Sequence, residues 1–514
     1  MKDYKALALE EYNSGETTAH HGGKDGRPFW NANATQFTFV PAFQFCKIPK
    51  ARTYRFTATD ESGKTYSFVD SSPTALLTPI WKDIPSGIVT LKVDGYDEDG
   101  NYICPVGART FYKCAPFLGS NAYAPKKCEY NESAKRAFKF VYNEPFVKYW
   151  RQHKKPDPTY IYNVYPSKTH GAVINALLYY ASIDSENKAT AIENAIMLAD
   201  YLMDISYKEG PCKDLPPTYY KNCYVEQNKG VKHTAEKYDG QIMLIYPATV
   251  MITYLNLYEV IKEQKYLDAA IKIANYYINT INDKGTWPLK IYAINGEPVT
   301  NNLCMPQEVA EAFKKLYEVT LNASYLDIYN KAFNYIKEVG LKTYNWEAQF
   351  EDIVPPSNYE NLTHFAPEAY VEYIANKSEY SKEDVEVASD LIRFVEDQFV
   401  VWGKHSPLTI YDSSNYLYPA CLEQYGWYLP IDSSSATVIR AFCNAYKITK
   451  NPLYVDKARA LANMITNVQN EESGAIPTYW MHKDCSNDLN DFWINCHIAS
   501  ASSLLDFYNF LKTL

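Results

Sequence analysis

From about residue 132 onward, apolar positions recur at the three-to-four-residue spacing of amphipathic helices, whereas residues 36–115 alternate with period two. The alternating runs Thr53-Tyr-Arg-Phe-Thr-Ala-Thr and Ile88-Val-Thr-Leu-Lys-Val are separated by turn signals at Glu61-Ser-Gly-Lys, Pro85-Ser-Gly and Glu98-Asp-Gly-Asn. Strands at such short spacing, with no helix between them, predict a small antiparallel β-sandwich. The change of pattern divides the chain into an N-terminal segment with a β-sandwich, residues 1–125, and a helical domain, residues 126–514.

The periodicity predicts twelve helices, roughly 132–150, 169–183, 187–207, 241–262, 265–282, 306–320, 323–340, 364–376, 382–400, 432–449, 452–470 and 496–511. Their links alternate in length. Short links such as Glu263-Gln264 and Leu321-Asn322 follow the even-numbered helices, and long loops precede them at 151–168, 208–240, 283–305, 341–363, 401–431 and 471–495. Short links make antiparallel helical hairpins. A local repeat supports the pairing: Lys265-Tyr-Leu-Asp, Ser324-Tyr-Leu-Asp and Leu453-Tyr-Val-Asp each open an odd-numbered helix. Two of those helices run into similar exits, Lys284-Gly-Thr-Trp-Pro and Ser473-Gly-Ala-Ile-Pro.

Helix 241–262 is apolar nearly all round, whereas 265–282 carries a polar stripe of Asp268, Lys272, Asn275 and Asn279. Helices 432–449 and 496–511 open on small residues, Ser433-Ser-Ser-Ala and Ile498-Ala-Ser-Ala-Ser-Ser, which let helices crowd around an axis. Six even-numbered inner helices alternating with six outer ones make an (α/α)6 barrel, so the fold class is mainly α with an N-terminal β-sandwich. All six long loops then lie at one mouth.

Composition narrows the partners. The 514-residue chain is 46% hydrophobic and 22% charged, with net charge −9. A pI near 5.6 and only nine Arg argue against nucleic acid. The longest apolar stretch, Ile242–Ile252, is interrupted by Pro247 and is far shorter than the roughly 20 residues of a membrane span. Eleven scattered Cys fit a reducing compartment better than a disulfide scaffold. The first thirty residues contain no apolar signal core, which predicts a cytoplasmic protein, or a periplasmic or secreted one if a leader precedes this sequence. Tyr is abundant at 47 residues, and its flat apolar face with a hydroxyl suits sugar rings, although AT-rich codon usage also favours it.

The twelve-helix alternation, together with an N-terminal β-region, resembles the six-hairpin glycosidase superfamily. The phrases Asn345-Trp-Glu-Ala-Gln-Phe-Glu-Asp and Cys421-Leu-Glu-Gln-Tyr-Gly resemble bacterial carbohydrate-degrading proteins, including ones acting on uronic acids, as glucuronidases do. The segment from Tyr66 to Val93 resembles a fibronectin-type or immunoglobulin-like module. These resemblances imply fold and substrate class, not catalytic residues.

Candidate chemistry gathers at the mouth. His170, Asp239, Glu308, His364, Asp432 and His497 mark the starts of the inner helices, where Asp239 and Asp432 could equally be helix caps. Carboxylates lie among aromatics in the loops, as glycosidic cleavage requires: one group protonates the leaving oxygen and the other activates water or attacks. The catalytic candidates are Glu423, Glu351, Asp352, Glu347, Asp239 and His364. Glu423 is first choice for the acid because Tyr418, Tyr425 and Trp427 surround it in sequence, and His364 is expected to orient its partner. Trp346, Gln349, Gln424, Tyr425, Trp427, His170, Lys237, Trp480, His482, Trp493 and His497 are candidates for substrate binding. Loops three apart face each other, which places 208–240 opposite 401–431 and 151–168 opposite 341–363. Lys232, Lys237, Lys404 and Lys483 near the mouth favour an anionic sugar slightly.

Other readings compete with a hydrolase. A polysaccharide lyase would draw on His364 or His170 with Tyr425, and an epimerase or isomerase on the same barrel needs similar His and Glu groups. A cyclase-like zinc enzyme would use Cys496 and His497 with Cys485 or His482, but ligand spacings such as CxxC are lacking, so no metal and no cofactor are expected. A non-catalytic sugar-binding protein would keep the aromatics without a working acid. No nucleotide fingerprint and no G-x-S-x-G elbow occur.

Overall fold

In the computed structural model, residues 3–14, 29–221, 236–352, 358–481 and 492–514 are described. The chain opens with helix α1 (Tyr4–Asn13) and a short strand β1 (Gln36–Phe37). Strands β2 (Thr53–Asp60), β3 (Thr65–Asp70), β4 (Gly87–Tyr96) and β5 (Tyr102–Lys113) then pair antiparallel, and β1 joins β5 in parallel, in the order β1-β5-β4-β2-β3. Asx turns close the β2–β3 and β4–β5 connections, where Asp60 and Asp97 accept backbone N–H groups two and four residues on. The period-two pattern buries Tyr54, Phe56, Ala58, Val89, Leu91, Val93 and Phe111 on one face.

Among the described residues this is a single sheet, not the two facing sheets of a sandwich. Its apolar face is covered from within the chain. The one-turn helix α2 (Thr78–Trp81) stacks Trp81 on Phe111 with ring centroids 6.1 Å apart, and Phe43 packs on the same ring. Residues after β1 are tied to the helical region, where Asp397 Oδ1 accepts the N–H groups of Thr38 and Phe39 at 2.7 and 2.6 Å. Sheet and helices thus share one continuous hydrophobic cluster.

The helical region contains α3 (Tyr130–Asn143), α4 (Pro145–His153), α5 (Pro166–Ile183), α6 (Lys188–Ile205), α7 (Ile245–Ile261), α8 (Gln264–Thr280), α9 (Gln307–Thr320), α10 (Ser324–Tyr335), α11 (Phe365–Ala375), α12 (Lys382–Phe399), α13 (Asp432–Thr449), α14 (Pro452–Val468) and α15 (Ile494–Leu511). Helices α5, α7, α9, α11, α13 and α15 contact one another in that order, and α15 returns to α5, closing an inner ring. Helices α6, α8, α10, α12 and α14 each pack on the inner helix before them, while α3 packs on α15 and α5. Five hairpins are therefore consecutive, and the sixth joins the first and last helices of the barrel. Small residues permit the crowding: Ser500 Oγ and Ser503 Oγ on α15 donate to Asp432 Oδ2 and the Ala436 carbonyl of α13 at 3.0 and 2.6 Å. No helix among the described residues is long and apolar enough to cross a membrane.

Two predicted helices differ in detail. The expected helix 132–150 breaks between α3 and α4, because Pro145 lacks an N–H and holds Glu144 extended at ψ 139°. The expected helix 241–262 starts at Ile245, since Gln241–Met243 forms a strand, β6, paired with β7 (Lys290–Tyr292) across the next loop.

The sequence repeats have a packing cause. Tyr266, Tyr325 and Tyr454 lie in the first turns of α8, α10 and α14, and each ring packs on an inner-helix aromatic: Tyr254, Phe313 and Phe442, at 6.3, 6.0 and 5.9 Å. Inner and outer helices in these hairpins are joined by left-handed residues, Lys262, Leu321 and Lys450, whose N–H groups bond the carbonyls of Tyr258, Tyr317 and Tyr446. In the repeated exits, Gly285 and Gly474 adopt φ of +87° and +85°. A Cβ at either would lie 2.6 Å from a backbone carbonyl of a neighbouring outer helix, that of Lys331 or of Arg136. Gly285→Ala and Gly474→Ala should each destabilise the protein by about 1–3 kcal/mol in urea unfolding. Gly100→Ala, with nothing within 4 Å of its Cβ position, should cost about 1 kcal/mol or less. Equal costs at all three positions would show that left-handed strain alone, not helix approach, fixes the exit glycines.

Candidate active site

A cavity of about 600 Å³ opens at one mouth of the barrel, within the usual range for small-molecule sites. All six inner helices contribute to its wall near their N-termini: Lys168 and Thr169, Tyr246 and Thr249, Gln307 and Glu308, Phe365 and Ala366, Ser433 and Thr437, and Ile494 to Cys496 with Ala499. The long loops add Tyr160, Tyr162, Glu347, Gln349, Phe350, Glu351, Asp352, Glu423, Gln424, Trp427 and Trp493. Among the described residues, five carboxyl groups thus face one basic side chain, Lys168.

Glu351 is the most tightly held. Its carbonyl accepts from the Tyr219 hydroxyl at 2.6 Å and from Lys290 Nζ at 3.0 Å. Its carboxylate accepts from Lys168 Nζ at 2.5 Å and from the Tyr246 hydroxyl. Burial opposes ionisation, but the Lys168 ammonium and these hydrogen bonds prevail and hold the carboxyl below its ordinary range. This ion pair spans the mouth, joining the end of loop 151–168 to loop 341–363, the pair of loops expected to face each other. Burial, with Glu351 as neighbour, shifts Asp352 the other way, upward.

Glu423 sits at the base of a tight hairpin. Its N–H donates to the Leu429 carbonyl at 3.1 Å, and its own carbonyl accepts from Thr363 Oγ1 at 2.8 Å. The side chain is 6% exposed and takes one weak hydrogen bond, 3.3 Å from Gln424 Nε2. Burial raises its pKa to about 7; Lys168 pulls it down, while Asp352 and Glu351 push it up. In the same cavity, burial also raises Glu308 and Glu347 to about 7. Glu347 accepts from Asn302 Nδ2 at 2.7 Å, and Glu308 has one oxygen without a partner among the described residues.

Of the sequence candidates, Glu423, Glu351, Asp352, Glu347, Gln349, Gln424, Trp427 and Trp493 line this one cavity. The amide of Gln349 is occupied by the backbone at Leu303 and Met305. The others lie elsewhere. Asp239 pairs with Lys221 at 2.7 Å on the surface and caps no helix, and exposed Lys237 lies over the Tyr238 ring. His364, expected to orient a catalytic carboxylate, is fully buried and bonds Glu368 within its own helix at 2.6 Å. His170 is packed edge-on against Trp150 and Tyr201, and burial lowers its pKa to about 3. Trp346 and Trp480 are core residues. Tyr425 is buried with its hydroxyl on Gln398, so of the three aromatics expected around Glu423 only Trp427 reaches the cavity. His497 uses both ring nitrogens, on the Ile476 N–H and the Ala137 carbonyl, which leaves neither for a metal. His482, Cys485, Lys232 and Lys483 fall outside the described residues. Lys168 and Tyr246, both in first turns of inner helices, carry no motif that singles them out in the sequence. Glu308 was noted only as one of the ring of helix starts.

This architecture is an (α/α)6 barrel, six helical hairpins closed into a ring. Cellobiose 2-epimerase from Spirochaeta thermophila superposes with a TM-score of 0.51 over 74% of this chain and 98% of its own, at 11% identity. A family 76 glycoside hydrolase from a bovine Bacteroides thetaiotaomicron strain covers 92% of this chain and 99% of its own, with TM-score 0.47 and 13% identity. An unsaturated glucuronyl hydrolase from Streptococcus agalactiae covers 77% and 94%, with TM-score 0.45 and 12% identity. No protein-family model matches the sequence, and no curated protein matches it.

The raised pKa of Glu423 has a thermodynamic consequence. A carboxyl near 7 in the fold, against an ordinary value of 4.5, binds more protons when folded, so its contribution to stability is greatest at acidic pH and declines between these values. Glu423→Gln removes that decline. Relative to the parent, the variant should gain stability from pH 5 to pH 8, by at most about 3 kcal/mol. Parallel pH curves in thermal unfolding would show that Glu423 ionises without cost.

Proposed function

We propose that the protein is a glycoside hydrolase in which Glu423 is the general acid and Glu351 the ionised partner. One observation carries this reading: two buried carboxyls line one cavity, of which Glu351 touches the Lys168 ammonium and the Tyr246 hydroxyl and is held below its ordinary value, whereas Glu423 takes one weak hydrogen bond and is raised by burial. Glu423 would protonate the glycosidic oxygen as the bond to the anomeric carbon breaks. Glu351 would activate water or attack that carbon, its orientation fixed by Lys168 and Tyr246.

The fold is shared by hydrolases and epimerases, so the choice rests on the cavity. Among the described residues, which leave out His233 and His482, no His lines it. Tyr246 is a poor lyase base, because burial and the adjacent Glu351 carboxylate hold its proton. His364, His170 and Tyr425, the groups considered for a lyase, lie in the core. Among the described residues, which leave out Lys232 and Lys483, the cavity favours a neutral sugar over a uronate. Neither Lys237 nor Lys404 lines it, and Lys168 is already paired with Glu351 among four further carboxyls.

Glu423→Gln should lower turnover about 10²–10⁴-fold on glycosides with poor leaving groups and far less on activated aryl glycosides. Parent activity should fall as pH rises through about 7, where Glu423 loses its proton, and this limb should vanish from the variant. Near-parental turnover of Glu423→Gln on a poor leaving group would remove Glu423 as the acid. A product with the ultraviolet absorbance of a newly formed sugar double bond would show elimination and overturn the hydrolase reading. Cleavage of glucuronides but not neutral hexosides would reverse the substrate preference.

A further inference from the structure

The hairpin that carries Glu423 also carries an aromatic side chain at its tip. Leu422 bridges Pro430, the Tyr428 N–H donates to the Gln424 carbonyl at 2.9 Å, and two left-handed residues flank Trp427: Gly426 at φ +80° and Tyr428 at φ +48°. This turn leaves the Trp427 indole on the cavity wall yet 37% exposed. Tyr411 lies against it with ring centroids 5.9 Å apart and planes inclined by 38°. Tyr411 is 40% exposed and the adjoining Ile410 is 79% exposed. Among the described residues these are the only two exposed aromatic rings in contact with each other.

An apolar step of this kind, continuous with the cavity and built on the loop of the acid, fits the C–H face of a pyranose. We propose that Trp427 and Tyr411 form a second sugar-binding position at the mouth, taking the neutral pyranose next to the one held beside Glu423. The substrate is then an oligosaccharide, bound across at least two residues. The proposal rests on the glycosidase reading of the cavity, and its test must separate the two.

Binding to the Glu423→Gln protein, which holds ligands without cleaving them, does so. The probes are neutral gluco-, manno-, galacto- and xylo-oligosaccharides from monosaccharide to pentasaccharide, followed by tryptophan fluorescence and saturation-transfer NMR. For one series, affinity should rise about tenfold from the monosaccharide to longer chains, the scale of one aromatic contact with its buried area. Tyr411→Ala and Trp427→Ala, added to Glu423→Gln, should each abolish most of that gain, and Trp427→Phe should restore part of it. Thermal unfolding of each variant checks that the hairpin is intact. Affinity independent of chain length, or a gain that survives both alanine variants, would overturn the second position while leaving the cavity reading in place. Failure of every probe to bind at millimolar concentration would overturn the sugar reading on which it rests. Sedimentation showing dimers that dissociate in Trp427→Ala would assign the patch to a second copy of the chain, against the proposal.

Discussion

Six inner helices enter the barrel from the same mouth, and that shared direction governs what the cavity can contain. Each helix N-terminus presents unpaired N–H groups and a partial positive charge to the same small volume. Carboxyl groups placed there meet a favourable field before any specific partner is counted. This helps to explain how, among the described residues, five of them line a cavity with a single ammonium in its wall. At the opposite ends the links are short, and three of them are closed by the left-handed residues Lys262, Leu321 and Lys450.

Within that field, individual contacts separate the acids from one another. Glu351 and Glu423 are both buried and share Lys168 as a neighbour, but only Glu351 touches the ammonium and a tyrosine hydroxyl. The Coulomb interaction outweighs desolvation at contact distance and fails to do so farther away. Burial of both, with one lysine in contact with only one of them, therefore leaves an ionised and a protonatable carboxyl in the same cavity. Removing it would leave Glu351 buried without its counter-charge, a situation far more costly than losing a surface pair.

The barrel was legible because its causes are local. Link lengths, all-round apolar helices such as α7 and the recurring Tyr-Leu-Asp openings follow from hairpin packing repeated around an axis. The N-terminal strands were equally clear, but period-two alternation reveals only that one face is buried, not whether a second sheet or the chain's own Trp81 and Phe43 cover it. In the site, loop carboxylates beside aromatics were visible in sequence. Direction was not: His364 and Tyr425 adjoin cavity residues and point into the core. Lys168 went unnoticed because its role comes from Glu351, 183 positions away. Such pairings arise from ring geometry, which no local pattern records.

The sixth hairpin imposes an order on biogenesis. Helix α3 is among the first barrel segments to leave the ribosome, and its partner α15 is the last of the twelve. Until α15 is made, the ring stays open, with α5 and α13 lacking a shared neighbour and apolar faces waiting for it. The nascent barrel is then an unclosed crescent, in which loops at the two free edges cannot yet define a common volume. The cavity wall is therefore complete only with the final segment, since Ile494, Cys496 and Ala499 of α15 belong to it.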